Sequence, residues 1–189
     1  MKNRLGFRLL GGLIALLGTA LSASSADAAK AHVRRPVVPA RAEDVSTIEG
    51  IVKASYQTIS GGVGVPRQWG RDRTLYDPQM RFVSLGKDPK SGKVTRSSGT
   101  EQEFADHADA YFMKVGFVEY ELAHTIHRFG NVATVLSSYE GKETATNKAA
   151  DRGVNIFQLY NDGKRWWILS MVWDEERPDN PLPPELQAH

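Results

Sequence analysis

Apolar residues recur along this chain with two different periods, and the change from one to the other divides it. Val45, Ile48, Ile51, Val52, Tyr56 and Ile59 fall on one stripe at helical spacing, which predicts a helix over 44–60 with Asp44 as its cap. The glycine run 61–64 ends it. A short helical piece follows over 67–76 and stops before Pro78. Two strands, 80–85 and 93–97, flank a polar turn. Thr100-Glu101-Gln102-Glu103 fits a capping box, in which the Thr and Glu side chains each serve a free backbone amide. It opens a helix to about residue 115, with Phe104, Ala108, Tyr111, Phe112 and Val115 inward.

After Gly116 the period shortens to that of strands: 117–128, 132–140, 154–160 and 165–173, with 141–151 as a longer polar loop. Asp162-Gly163 between apolar runs marks the last hairpin. Adjacent Trp166 and Trp167 point to opposite faces of the final strand, so both of its faces are apolar. Helices first and a strand meander last make an α+β chain.

The ends set the address. Lys2, Arg4 and Arg8 precede an apolar run over 9–21, and Ala26-Asp27-Ala28 offers small residues for cleavage. Residues 1–28 therefore read as a signal peptide rather than a stable membrane anchor, because the run is short for a bilayer. The expected location is exported, in the bacterial periplasm or secreted. Residues 29–43 read as a flexible linker, 44–177 as one domain, and 178–189 as a proline-rich tail. The absence of cysteine means that this domain holds together by packing alone. Removing 1–28 leaves 21 basic and 21 acidic residues, so the small positive charge of the whole chain gives no support for a nucleic-acid partner.

Several segments resemble the nuclear transport factor 2-like superfamily, which includes ketosteroid isomerases and SnoaL-like cyclases. They are Phe129-Gly130-Asn131-Val132-Ala133, Ser138-Tyr139-Glu140, Arg152-Gly153-Val154-Asn155, Gln158-Leu159 and Asp162 to Ile168, continuing through Trp173 to Pro181. The resemblance is closest to uncharacterised exported bacterial members and covers about 44–186. It implies a curved, mainly antiparallel sheet wrapped around about three helices, with a pocket in the wide end of the cone and a tail packed on the domain. It also implies a homodimer formed through the outer face of the sheet.

Candidate chemistry is sparse. His124-x-x-His127 lies in a strand pattern, so its two imidazoles fall on opposite faces, and no metal site is expected. Strict alternation groups His124 with Val118, Tyr120, Leu122 and Ile126, and puts Glu119, Glu121 and His127 on the other face. His124 suits either a general acid–base role or a hydrogen-bonded core or interface position. His107 reads as a solvent-edge residue. Asp72, between Arg71 and Arg73, suits a base if buried and a surface ion pair or cap otherwise. Tyr56, Trp69, Tyr111, Tyr120 and Trp173 are candidate pocket aromatics, and equally ordinary core. Asn155 or Gln158, on opposite faces of one strand, offers an amide to a ligand. Tyr56, Trp69 and His124 are expected at one cavity. No cofactor is indicated. The sequence thus points to an exported small-ligand-binding or accessory domain, taking a small apolar molecule. The alternative is a small lyase or isomerase that uses acid–base catalysis.

Overall fold

The computed structural model describes residues 38–188. The proposed signal peptide and most of the linker lie outside them. The first helical stripe is split into α1, Ala42–Val45, and α2, Ile48–Ile59. The split occurs because Thr47 is extended and caps α2, its hydroxyl accepting the Gly50 amide at 2.9 Å. Asp44 has a different task from the capping expected of it: it pairs with Arg71 at 2.6 Å. Next come α3, Trp69–Asp72, and a 3₁₀ turn, Arg73–Leu75.

Strand β1, Tyr76–Lys87, starts earlier than its apolar run, and its pairing is irregular between Tyr76 and Arg81, around Pro78. Then follow β2, Val94–Gly99, and α4, Glu101–Val115, with the capping box of Thr100 and Glu103 formed. The remaining strands are β3, Phe117–Phe129; β4, Val132–Glu143; β5, Lys148–Asn161; and β6, Trp166–Glu175. The expected long loop over 141–151 is mostly strand, and only four residues turn, 144–147. Asn147, at φ 54°, makes that turn possible without glycine.

The order β2-β1-β6-β5-β4-β3 gives one mixed, curved, unclosed sheet, parallel only between β1 and β6. Helices α2 and α4 fill its concave side. Ile51, Val52 and Tyr56 from α2 meet Phe104, Ala108 and Phe112 from α4 and Val135, Phe157 and Ile168 from the sheet, all buried. Phe112 stacks on Phe117 with ring centroids 4.4 Å apart, seating the end of α4 on the first turn of β3. Arg67 is buried and donates to the carbonyls of Val65, Gly61 and Phe112, tying the glycine loop to that same helix end.

The tail returns to the sheet. Its 3₁₀ turn, Pro184–Leu186, packs on β3 and β4, and Leu182 and Leu186 are buried. The Ser138 hydroxyl donates to the Leu186 carbonyl at 2.6 Å. Ser138 lies on the convex face, since its neighbour Ser137 faces α2, so the tail covers part of the outer surface. Leu186→Ala is expected to destabilise the fold by about 2–3 kcal/mol, the lower part of the range for a buried leucine. Urea denaturation would measure it, and an unchanged midpoint would mean that the tail is not part of the folded unit.

Candidate functional site

One irregularity in β3 sets the polarity of the concave face. Glu121 pairs with Tyr139 and Ala123 with Ser138, so Leu122 is an extra residue, a β-bulge. The bulge reverses the phase of the alternation. Phe117, Glu119 and Glu121 before it, and His124 and Ile126 after it, all face inward. Glu119 and Glu121 therefore share the inner face with His124, contrary to the reading from strict alternation.

Three cross-strand rows then build the site. In the first, Glu119, Gly141 and Asp151 stand side by side on β3, β4 and β5. Glu119 and Asp151 lie two strand spacings apart, roughly 10 Å between Cα atoms, with glycine between them. A Cβ at Gly141 would come within 2.2 Å of Asp151 Oδ1, so the missing side chain makes room for that carboxyl. The second row is Glu121, Tyr139, Gly153 and Glu175, and a Cβ at Gly153 would crowd the Tyr139 hydroxyl at 2.8 Å. The third is His124, Ser137, Asn155 and Trp173.

A cavity of about 50 Å³ opens over these rows, room for a few water molecules. Tyr56, Phe82, Phe112, Phe117, Tyr139 and Trp173 are among its wall residues, and Glu119, Asp151 and Asn155 contribute to its polar edge. Asn155 Nδ2 donates to the Tyr56 hydroxyl at 3.1 Å, which donates to Ser137 Oγ at 2.7 Å. Ser137 donates to Glu121 Oε1 at 2.5 Å, and the other Glu121 oxygen lies 3.0 Å from His124 Nδ1. A continuous polar chain thus runs from the exposed rim to the cavity.

The cavity carboxyls are poised away from their ordinary state. Burial lifts Glu119 well above the usual carboxylate range, the charge of Asp151 adds to this, and the Asn155 amide partly offsets it. Burial also lifts Asp151, with help from Glu175, to about 7. Asp151 Oδ1 is buried without a hydrogen-bond partner among the described residues. Glu175 is raised too, again chiefly by burial. The Tyr56 phenol is pushed up by burial first and by Glu119 second, so it stays protonated near neutral pH.

The other candidates have structural partners. Trp69 stacks on Phe112, and its Nε1 donates to Asp109 Oδ1 at 2.5 Å. Tyr111 donates to Glu143 at 2.7 Å, and Tyr120 is an outer-face residue that donates to Glu140. Gln158 faces outward and accepts from Thr134, while His107 and His127 are exposed. Of Tyr56, Trp69 and His124, expected together, Tyr56 lines the cavity; Trp69 and His124 do not. Asp72 is fully buried instead of lying at the surface, accepting from Thr58 at 2.5 Å, and is also absent from this cavity. Among the described residues no cluster of three or more His, Cys, Asp or Glu side chains is arranged to hold a metal.

A second, larger cleft of about 460 Å³ lies between α3, the start of α4 and the β5–β6 turn. Its charged groups are engaged: Arg73 with Glu101, Arg165 with the Thr74 carbonyl, Asp77 with Tyr160. Size favours that cleft, but the smaller cavity has the perturbed, under-partnered groups that mark chemistry.

No protein-family description matches the chain, and no curated protein matches it. Solved structures do. A protein of unknown function from Mycobacterium tuberculosis is 17% identical with TM-score 0.50, over 73% of this chain and 80% of that one. A nuclear transport factor 2-like protein of unknown function from Methylobacillus flagellatus is 13% identical with TM-score 0.44, over 70% and 99%. A cystatin-like-fold protein of unknown function from Nostoc punctiforme is 9% identical with TM-score 0.48, over 73% and 98%. At these identities the likeness is one of fold. With the Mycobacterium tuberculosis protein it shares the α+β fold of a curved sheet around helices.

The causes of these shifts are testable. Glu175 helps to raise Asp151, so Glu175→Gln should lower it from about 7. Asp151→Asn should bring Glu119 down. Carboxyl-carbon NMR titration reads each value. Because the folded protein holds the Asp151 proton where the unfolded chain has lost it, this residue's share of the stability is full below pH 3.8 and is lost by about pH 7. The fall is at most about 1.4 kcal/mol per pH unit. Asp151→Asn should flatten that part of the stability profile; an unchanged profile would place Asp151 in water.

Proposed function

We propose that this protein is an exported small-molecule-binding domain whose ligand occupies the cone cavity, with Glu119 and Asp151 as its polar anchors. The observation that carries the reading is the placement of two carboxyls on either side of Gly141, at the edge of an aromatic cavity. Carboxyls shifted by burial at the edge of a cavity mark a candidate binding site. An accessory role, presenting such a ligand to another protein, is compatible with the same cavity.

A second reading has an observation of its own. Two carboxyls in one cavity, both raised by burial and one of them to about 7, form an acid–base pair suited to a lyase or isomerase. Asp151 would take a proton from carbon, and Glu119 or the Asn155 amide would polarise the adjacent oxygen.

Trp173 lines the cavity and reports its filling. Ligand binding should change its fluorescence, and Trp173→Phe should abolish the change while binding persists by calorimetry. A ligand that leaves Trp173 fluorescence and the Asp151 titration unmoved binds elsewhere and sinks the reading. For the enzyme, solvent deuterium should enter a bound ligand's carbon, and Asp151→Asn should slow this by about a hundredfold or more.

We further propose a homodimer through the convex face. Thr125, Leu136, Ile156, Val172 and Val83 form one row across five strands there, and Ile156 and Leu169 are exposed. An apolar surface of this kind favours a partner. The tail leaves this row open beyond its own footprint on β3 and β4. Sedimentation at micromolar concentration should give twice the monomer mass, and Ile156→Lys should give the monomer; a monomeric parent protein would refute the interface.

A further inference from the structure

The net charge of the cavity lining restricts what it binds. Its fourteen lining residues include two acids, Glu119 and Asp151, and no lysine, arginine or histidine. The basic residues nearest in sequence are committed elsewhere: Arg152 reaches Glu176 at 3.2 Å and Glu140 at 3.7 Å, and Arg177 pairs with Asp174. Facing the acids are only neutral or acidic groups. Tyr56 comes from α2, Tyr76 from β1, Tyr139 from β4, Asn155 from β5 and Glu175 from β6, while Tyr111 of α4 is engaged with Glu143. The rest of the wall is largely aromatic, with Phe82, Phe112, Phe117 and Trp173 among it.

Resting on the reading that this cavity is the binding site, we infer that its ligand is a small organic cation, an alkylammonium head group held between Glu119 and Asp151 against the aromatic wall. A cation supplies the charge that the acids lack, and ring faces attract it in proportion to how well water is excluded. An anion would be repelled, and a neutral apolar ligand would strip water from an ionised carboxylate without replacing it. A bare metal ion is a poorer fit, because it requires a shell of oxygens and this wall is mostly carbon. The free space limits the head group to a few heavy atoms. Gly141 fits the same picture: it keeps the Asp151 carboxyl within the sheet surface, facing Glu119 across the gap.

The cation and a proton compete for the same carboxyls, so the two sign choices are opposite. A cation binds more tightly as pH rises, releasing a proton on entry; a neutral ligand binds less tightly as the carboxyl ionises.

Isothermal titration of the full-length mature protein with three probes decides it: tetramethylammonium, tert-butanol and pivalate, similar in size and different in charge. None changes charge between pH 6 and 8, so any pH dependence belongs to the protein. Tetramethylammonium should bind at least about tenfold more tightly than the other two. Its affinity should rise about tenfold from pH 6 to pH 8, given a group titrating near 7. Buffers of different ionisation heat should show proton release. Asp151→Asn should remove the pH dependence, and Gly141→Ala, which keeps both acids but crowds Asp151, should weaken binding. If either variant fails to fold, the pH slope of the parent protein still decides. Tighter binding of tert-butanol, or cation affinity that is flat or falls with pH, overturns the cation while leaving the cavity as a binding site. Failure of all three probes to perturb Trp173 or Asp151 overturns both.

Discussion

One surplus residue in β3 governs the chemistry of the concave face. In a strand the side-chain period is two, so a single insertion moves everything beyond it to the opposite side. The bulge at Leu122 allows β3 to present Phe117, Glu119 and Glu121 inward at one end and His124 and Ile126 inward at the other. Without it, either the acids or Ile126 would face solvent, and the strand would lose either its cavity or its core contact. The polar half lies over the cavity and the apolar half over Val135 and Phe157, so one strand serves both functions.

The acids are tolerated because the fold gives them geometry in place of ionic partners. Glycines at 141 and 153 hollow the sheet so that a carboxyl and a phenol fit within its surface. The helices then exclude water from the same place, which raises Glu119, Asp151 and the tyrosine phenols together. Glu121 shows the contrast. It accepts from Ser137 on one oxygen, meets His124 on the other, and sits closer to the rim. Two glutamates two residues apart on one strand thus have opposite circumstances: Glu121 has partners on both oxygens near the rim, and Glu119 lies deeper, with the Asn155 amide against the cost of its burial. The difference comes from the groups facing them rather than from residue type.

The fold was largely legible in the sequence because its signals are local. The capping box at Thr100, the Asp162-Gly163 turn and the helical stripe of α2 each act within a few residues. The site was less legible because its determinants are not local. Tyr56, Asn155 and Trp173 line the cavity beside Glu119 and Asp151, but strict alternation puts Glu119 on the other face and the polar stretch 141–151 reads as loop. Gly141 and Gly153 were the available clue, since glycine inside a strand marks a close approach. Reading 141–151 as loop hid it. Asp72 misled for a related reason: flanking arginines suggested an exposed ion pair, yet Arg71 reaches Asp44 and Arg73 reaches Glu101, leaving Asp72 to the interior.

The polar chain from His124 to Asn155 explains why the cavity presents acceptors to whatever enters it. Glu121 accepts at both oxygens, so the hydrogen bonds upstream are all pulled toward it: Ser137 donates outward, and Tyr56 must donate to Ser137. The Tyr56 proton therefore points away from the cavity, and its oxygen faces Asn155. A phenol that would otherwise offer a donor to a ligand, as an enzyme stabilising an oxyanion requires, is turned into an acceptor by Glu121, two hydrogen bonds away. That orientation weighs against oxyanion chemistry at Tyr56 and toward a ligand that brings its own positive charge. The same conclusion follows independently from the uncompensated acids, which is why hydrogen-bond direction and charge balance point to one occupant.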